Sequence, residues 1–370
     1  MSDHNYKRNI KAGQRFEYGV YQILDHFFGR QRMFKLFGKR RRKFYKNLTE
    51  TLKQSGPGKA VQIERRKDLT IKEFRDHYLR KGIPVVMEGV AKDWACVKEW
   101  SFEYFKELHG DDEILLVQLQ KEGYPYETIT LGEVIDNMRS GGGKYYRFYP
   151  LLDRHPEHVK EFDYGWLLKH KNRVNWFEAF QVFMGGAGTA TGLHNACSCN
   201  MFLQVYGEKK WILYPPYYTM ILDPDPVKNV YRHAPMRTEN GPFDPFKPGN
   251  YERPYELFKY IDTLEATVRP GDVLWLPPYY WHCVQNPTDS IGVSFRWIPP
   301  LYSLKIAPLY MTLDFCANNP PIWKGSKMVR KDANLIYLAE TGQLEDYLKK
   351  KAERDEAKKV KDAEKAKAAV

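Results

Sequence analysis

Several common features are missing from this chain, and each absence excludes a class of protein. No run approaches the roughly 18 apolar residues of a membrane-spanning helix, although 43% of the 370 residues are hydrophobic. The opening MSDHNYKRNIKAGQ has no apolar signal core, so secretion is not expected. Cysteine is scarce: Cys96, Cys197, Cys199, Cys283 and Cys316 are odd in number and scattered. They suggest no disulfide framework, which fits a reducing compartment, and the cytoplasm is the expected location. No segment repeats, which excludes a solenoid or a propeller.

What is present is an aromatic-rich core and a lopsided charge. Phe, Trp and Tyr make up 15% of the chain, enough with the aliphatic residues for a sizeable core. Of the net charge of +12, residues 1–60 carry +11, from 15 Lys/Arg against 4 Asp/Glu. The other 310 residues hold only about +1. This basic segment includes KRRRK at 39–43, and Val20, Ile23, Leu24, Phe27, Phe28, Phe34 and Phe37 recur at roughly helical spacing. One or two amphipathic helices are expected, ending near SGPGK at 55–59. Two uses fit them: a cap packed on the main domain with solvated lysines, or contact with a membrane surface or another anionic partner. Nucleic acid is not an expected partner, because no binding motif accompanies the charge.

Three regions follow: a basic helical segment over 1–60, a β-rich domain over 61–300 and a helical region over 301–370. The central region opens with two short helical stretches, TIKEFRDHYL and SFEYFKELHG. Short strand candidates follow, separated by Gly, Pro and Asp turns: EILLVQL, KYYRFYP, FEAFQVFM, NMFLQVYG, KKWILYP, EATVRPGDVLWLP and SIGVSFRW. Many short strands argue for an all-β barrel or double-sheet jelly roll with helices outside. The C-terminal region closes in a Lys/Ala/Glu-rich solvated tail, and its helices offer a route to a homodimer.

The chemistry concentrates in TGLHNACSCNMFLQVYGEKKWILYPP at 191–216 and RPGDVLWLPPYYWHCV at 269–284. Side chains alternate along a strand, so His194, Ala196, Ser198 and Asn200 share one face. A histidine and a carboxylate two residues apart can share one metal, completed by a distant histidine, here His282. Lys209 or Lys210 faces inward, and a lysine inside a barrel calls for an anionic partner. His155-Pro156-Glu157 also spells His-X-Glu, but in a helix or loop ahead of the barrel. Cys197 and Cys199 face away from His194, and no second cysteine pair exists for a zinc site.

The region from about 62 to 300 resembles the JmjC/cupin-like family of Fe(II)- and 2-oxoglutarate-dependent oxygenases, nearest in layout to its protein-hydroxylase branch. The matching stretches are GIPVV with the following KDW, TGLH, NMFLQVYGEKKWILYPP, VRPGDVLWLPPYYWH and GVSFRW, in the family's order. The resemblance implies a mainly β fold, a double-stranded β-helix with flanking helices. It implies iron held by His194 and His282. Lys209 and Thr191 would hold the distal carboxylate of 2-oxoglutarate, with Asn200 nearby and Tyr146 or Tyr149 as a further contact. A peptide, protein or amino-acid side chain is the expected substrate, and the Pro/Asn/Gly-rich stretch at 223–256 is long enough to line the barrel mouth.

The sequence departs from the family at Ala196, where Asp or Glu is expected. Three readings stay open. Hydroxylation persists with water or another side chain as ligand, for which Asp223 and Asp225 come into consideration. Alternatively chloride fills the vacated position, as in related halogenases. In the third reading the site is silent and the chain is a binding protein.

Overall fold

A computed structural model of the chain describes residues 10–117, 126–149, 151–175, 178–224, 226, 231–233, 237–238, 241–242 and 255–316, with scattered positions between 346 and 360. Most of the 223–256 stretch and of the C-terminal helices expected to dimerise lies outside the described residues. Among the described residues no helix is long and apolar enough to cross a membrane.

Two sheets face each other. The first has β2 (Arg65–Arg66), β3 (Val85–Met87), β4 (Tyr145–Tyr149), β5 (Glu178–Gly185), β7 (Cys199–Tyr206), β11 (Val273–Leu276) and β13 (Ser290–Trp297), in the order β2-β3-β11-β7-β13-β5-β4. The second has β1 (Ala60–Gln62), β6 (Ala190–Ala196), β8 (Lys209–Tyr214), β9 (Tyr231–His233), β10 (Thr263–Val268) and β12 (Trp281–Gln285), in the order β1-β10-β8-β12-β6-β9. Successive strands alternate between the sheets from β5 to β8 and again from β10 to β13, as the jelly-roll expectation requires. Tight turns make the alternation. At Gly207 (φ +67°) an added Cβ would lie 1.8 Å from the Asp289 carbonyl oxygen, so only glycine fits the turn from β7 to β8.

Apolar residues separate into three layers. Phe183, Phe202, Trp211, Leu213, Leu264, Val268, Leu274 and Val284 fill the space between the sheets. Phe74, Trp100, Phe102, Phe105 and Val134 cover the outer face of the first sheet. One of these covering elements is α3 (Phe102–His109), whose Ser101 cap accepts a hydrogen bond from the Tyr104 N–H.

The outer face of the second sheet is covered by the basic N-terminal segment. It forms a hairpin of α1 (Ala12–Phe28) and α2 (Arg30–Lys53). Tyr18, Tyr21, Phe44, Leu48 and Leu52 pack with Ile212, Tyr214 and Trp281. Asp25 and Arg41 form a buried ion pair between the two helices. Arg30 pairs with Asp223, which binds that residue to the hairpin and not to any metal site.

Candidate active site

The site grows from the pairing of β6 with β12, where His194 is the direct partner of His282. Their ring centroids lie 4.2 Å apart. A β-bulge follows: beyond the histidine pair, Val284 pairs with Thr191. Three residues along a regular strand would reverse the face, but the bulge restores it. Thr191 therefore shares the His194 face, which explains the Thr-x-x-His spacing.

Backbone carbonyls set both imidazoles. Gly192, inside the bulge, accepts from His194 Nδ1–H at 2.7 Å, and Tyr280 accepts from His282 Nδ1–H at 2.9 Å. A carbonyl can only accept, so each Nδ1 carries a proton, and a neutral ring keeps its lone pair on Nε2. Burial pushes the His282 pKa down to about 4, the Tyr280 carbonyl opposing and the Arg296 charge adding to the shift. A neutral imidazole is the form that binds a metal. On the observed donor chemistry the pair fits a divalent ion.

Ala196 closes β6, half-buried, with its carbonyl accepting from the Tyr279 N–H at 2.8 Å. Tyr279 sits at φ +63°, a strained conformation for a bulky residue. Its hydroxyl donates to Asp314 at 2.7 Å, on α4 (Pro308–Phe315). This anchor fixes the turn that presents the Tyr280 carbonyl to His282.

Lys209 is fully buried, whereas Lys210 is partly exposed. Its ammonium donates to Asn286 Oδ1 at 2.7 Å and to the Tyr145 hydroxyl at 3.2 Å. Both partners are uncharged amide or phenol groups. Burial holds the Lys209 pKa below the ordinary lysine value, with Tyr145 opposing. Burial alone would raise the Tyr145 pKa, yet the Lys209 and Arg147 charges bring it below the ordinary phenol value. Arg147 Nε donates to Thr191 Oγ1 at 3.2 Å. Gly185 leaves room for the group: a Cβ there would lie 2.3 Å from Asn286 Nδ2.

Asn200 is buried, donates to Ser294 Oγ at 3.2 Å, and leaves its Oδ1 with no partner among the described residues. The structure places Tyr145, not Tyr146 or Tyr149, against Lys209. Tyr146 and Tyr149 belong to the outer cluster of the first sheet, and Tyr149 donates to Asp112 at 2.8 Å. Neighbours on β4 alternate faces, and KYYRFYP alone does not say which face meets the barrel. Arg296 is a second cation close enough to His282 to depress its pKa. It was legible only as part of GVSFRW. His155 hydrogen-bonds Asp112 at 2.8 Å and stacks on His109, away from the histidine pair. Cys197 and Cys199 are buried, with burial raising both thiols.

A histidine pair inside a jelly roll, with a buried lysine on the same wall, defines a cupin-type oxygenase scaffold. Residues 71–301 match the cupin-like domain family. That is more than half of the chain, which belongs to this family, in its JmjC/cupin-like oxygenase group. Over 241 residues it is 27% identical to Lysine-specific demethylase 8 of Xenopus tropicalis, covering 62% of this chain and 51% of that protein. Over 274 residues it is 25% identical to the human Bifunctional peptidase and (3S)-lysyl hydroxylase JMJD7, covering 62% and 82%. Arginine-specific demethylase JMJ20 of Arabidopsis thaliana is 23% identical over 276 residues, covering 64% and 57%. The chain spans about half the length of the first of these relatives.

Proposed function

We propose that this chain is an Fe(II)- and 2-oxoglutarate-dependent oxygenase that hydroxylates a side chain of a peptide or protein. The carrying observation is one wall that joins two histidines, each held through Nδ1 by a backbone carbonyl, to a fully buried lysine. His194 and His282 would hold the iron. Lys209, with Tyr145 and Thr191, would receive the distal carboxylate of 2-oxoglutarate, and Asn200 Oδ1 would accept a hydrogen bond from the reacting groups. Bound iron would couple loss of CO2 from 2-oxoglutarate to insertion of one oxygen atom of O2 into a C–H bond, the other entering succinate. The residues of this chain bind, orient and exclude water. A buried ammonium with neutral partners is costly until an anion arrives, so the lysine favours the loaded state. The gly-linked bulge and the Tyr280 carbonyl hold both rings in register. A peptide substrate is favoured by the protein-directed names of the relatives.

The test is succinate formation from 2-oxoglutarate, with the product mass read on a peptide library. A gain of one oxygen atom supports hydroxylation. Ala196 favours a second reading, in which chloride takes the vacated position and the product gains chlorine in place of hydrogen. Iron and 2-oxoglutarate that leave no mark on any peptide, and form no succinate, would favour a binding protein.

The hairpin supports a membrane-surface role beside its capping role. On α1 the polar Gln22, Asp25 and His26 are buried, while Phe16 (76% exposed), Phe27 (57%) and Phe28 (58%) face outward with Leu36 (66%) of α2. Arg15, Lys39, Arg42, Lys43 and Lys46 are exposed around them. An outward apolar stripe within a basic field suits an anionic bilayer interface.

A further inference from the structure

Across the barrel from the histidine pair, the inward face of the first sheet carries a cation and two amides. On β13, Phe295 and Trp297 belong to the outer cluster of that sheet, so alternation turns Ser294 and Arg296 inward. Arg296 is the cross-strand partner of Asn200 on β7 and Ala179 on β5, and Ser294 is the partner of Gln181 on β5. The guanidinium carbon lies 5.6 Å from the centre of the Phe183 ring, which packs between the sheets. Asn200 donates to Ser294 Oγ at 3.2 Å, across the diagonal of the same face. Direct and diagonal neighbours on one face are within reach of one another, so Arg296, Asn200, Ser294 and Gln181 form one polar patch. His282 looks back at it from the second sheet: its direct partner Leu213 packs between the sheets, and the Arg296 charge reaches its ring.

Two oxygens of this patch, Gln181 Oε1 and Asn200 Oδ1, are buried acceptors without a hydrogen-bond partner among the described residues. A buried acceptor left in that state is costly and calls for a donor from a ligand. The guanidinium calls for the converse, the paired oxygens of a carboxylate, which it meets with parallel N–H donors. Charge points the same way. Ala196 removes a negative charge from the metal site, and Arg296 adds a positive one. With a divalent ion, the dianionic cosubstrate, Lys209 and Arg296 together, these groups still sum to a positive charge, which a further anion offsets.

We propose that Arg296 is the specificity-determining residue of this site: it holds a carboxylate of the substrate beside the metal, while Gln181 Oε1 and Asn200 Oδ1 accept the N–H groups next to that carboxylate. The substrate is then a peptide that presents either an Asp or Glu side chain or its own C-terminal carboxylate. The inference rests on the oxygenase reading above and narrows its substrate class.

The experiment reads peptide binding by fluorescence anisotropy, without oxygen, on the full chain loaded with Co(II) and 2-oxoglutarate. The probes are N-terminally labelled pentapeptide pools. Amidated pools are centred on Asp, Glu, Asn or Gln, and one further pool is centred on Ala with a free C-terminal carboxylate. The parent should bind a carboxylate-bearing pool at least about tenfold more tightly than the Asn and Gln pools. A lead for Asp or Glu assigns an acidic side chain, and a lead for the free-ended pool assigns a C-terminus. Arg296→Met should lose the preference, and Arg296→Lys, which keeps the charge without the fork, should keep only part of it. Gln181→Leu should weaken every pool alike and leave the preference standing. Thermal melts and Co(II) calorimetry check that each variant folds and keeps the histidine site. Should Arg296→Met fail to fold, Arg296→Gln, which stays polar, decides by the same ratio. A parent that binds all pools alike or none of them overturns the proposal, as does a preference that survives Arg296→Met; the oxygenase reading stands in each case if Co(II) and 2-oxoglutarate still bind together. A parent that binds neither of these overturns the oxygenase reading and this inference with it.

Discussion

Lys209 is the residue on which the site depends most. Replacing it with methionine removes the ammonium that contacts Asn286 Oδ1 at 2.7 Å and the Tyr145 hydroxyl at 3.2 Å. Losing one partner of a buried charge pair costs about 2 kcal/mol or more, which is about 30-fold in affinity. Calorimetry should therefore show 2-oxoglutarate binding to Lys209→Met at least that much more weakly; equal binding would reassign the cosubstrate. The same residue has a pH signature. Its folded pKa is depressed, so across the range between that value and about 10.4 the unfolded chain holds a proton that the folded chain lacks. Stability contributed by Lys209 therefore rises with pH in that window. The melting advantage of Lys209→Met over the cosubstrate-free parent should shrink as pH increases toward 10.4, and a gap that widens would contradict the assigned burial. At Ala196, substitution by aspartate returns the missing carboxylate to the His194 face. Fe(II) binding should tighten by about tenfold and lose any dependence on chloride, read by anaerobic titration with and without the salt. Unchanged affinity would mean that position 196 does not face the metal.

Among the elements, the barrel strands were legible because alternation and Gly/Pro/Asp turns leave a strong imprint on sequence. His194, His282 and Lys209 were legible for the same reason: each sits in a strand with clear neighbours. Three features were not. The bulge at Gly192 leaves no periodic mark, so the shared face of Thr191 and His194 emerges only from pairing. Tyr145 was hidden behind Tyr146, since two adjacent tyrosines offer no hint of which face meets the barrel. β9 was hidden within a Pro/Asn/Gly-rich stretch that reads as a loop, because three residues are too few for a period. Its described side chain is Arg232, a charge buried against Asp314. That charge makes α4 a clamp. Removing Asp314 as alanine leaves Arg232 buried and unpaired and frees the Tyr279 hydroxyl. Unfolding free energy should fall by about 3 to 5 kcal/mol, read as a lower urea midpoint. Replacing both members with apolar residues should recover most of it. A single Asp314→Ala with the parent's midpoint would show that the pair does not fix β9.

At the scale of the whole molecule, the hairpin is both the cap of the second sheet and the carrier of an exposed apolar stripe. It seals the outer face of the second sheet with Phe44 and Leu48 and turns Phe16, Phe27 and Leu36 outward. Pelleting with vesicles that contain phosphatidylserine should recover the parent and release it at high salt, because the basic charge is screened. Phe16→Ser combined with Phe27→Ser and Leu36→Ser should abolish pelleting without changing cosubstrate affinity. A parent that ignores vesicles but dimerises through this face would assign the stripe to a second copy. The barrel itself is tested most directly by the visible absorption that forms when Fe(II) and 2-oxoglutarate bind together without oxygen. The parent should develop a band that saturates at one equivalent of iron and requires both components. His282→Ala and Lys209→Met, each folded by thermal melt, should lose it or need far more cosubstrate. A parent with no band, or a band untouched by both substitutions, would contradict a metal and cosubstrate site built on His194, His282 and Lys209.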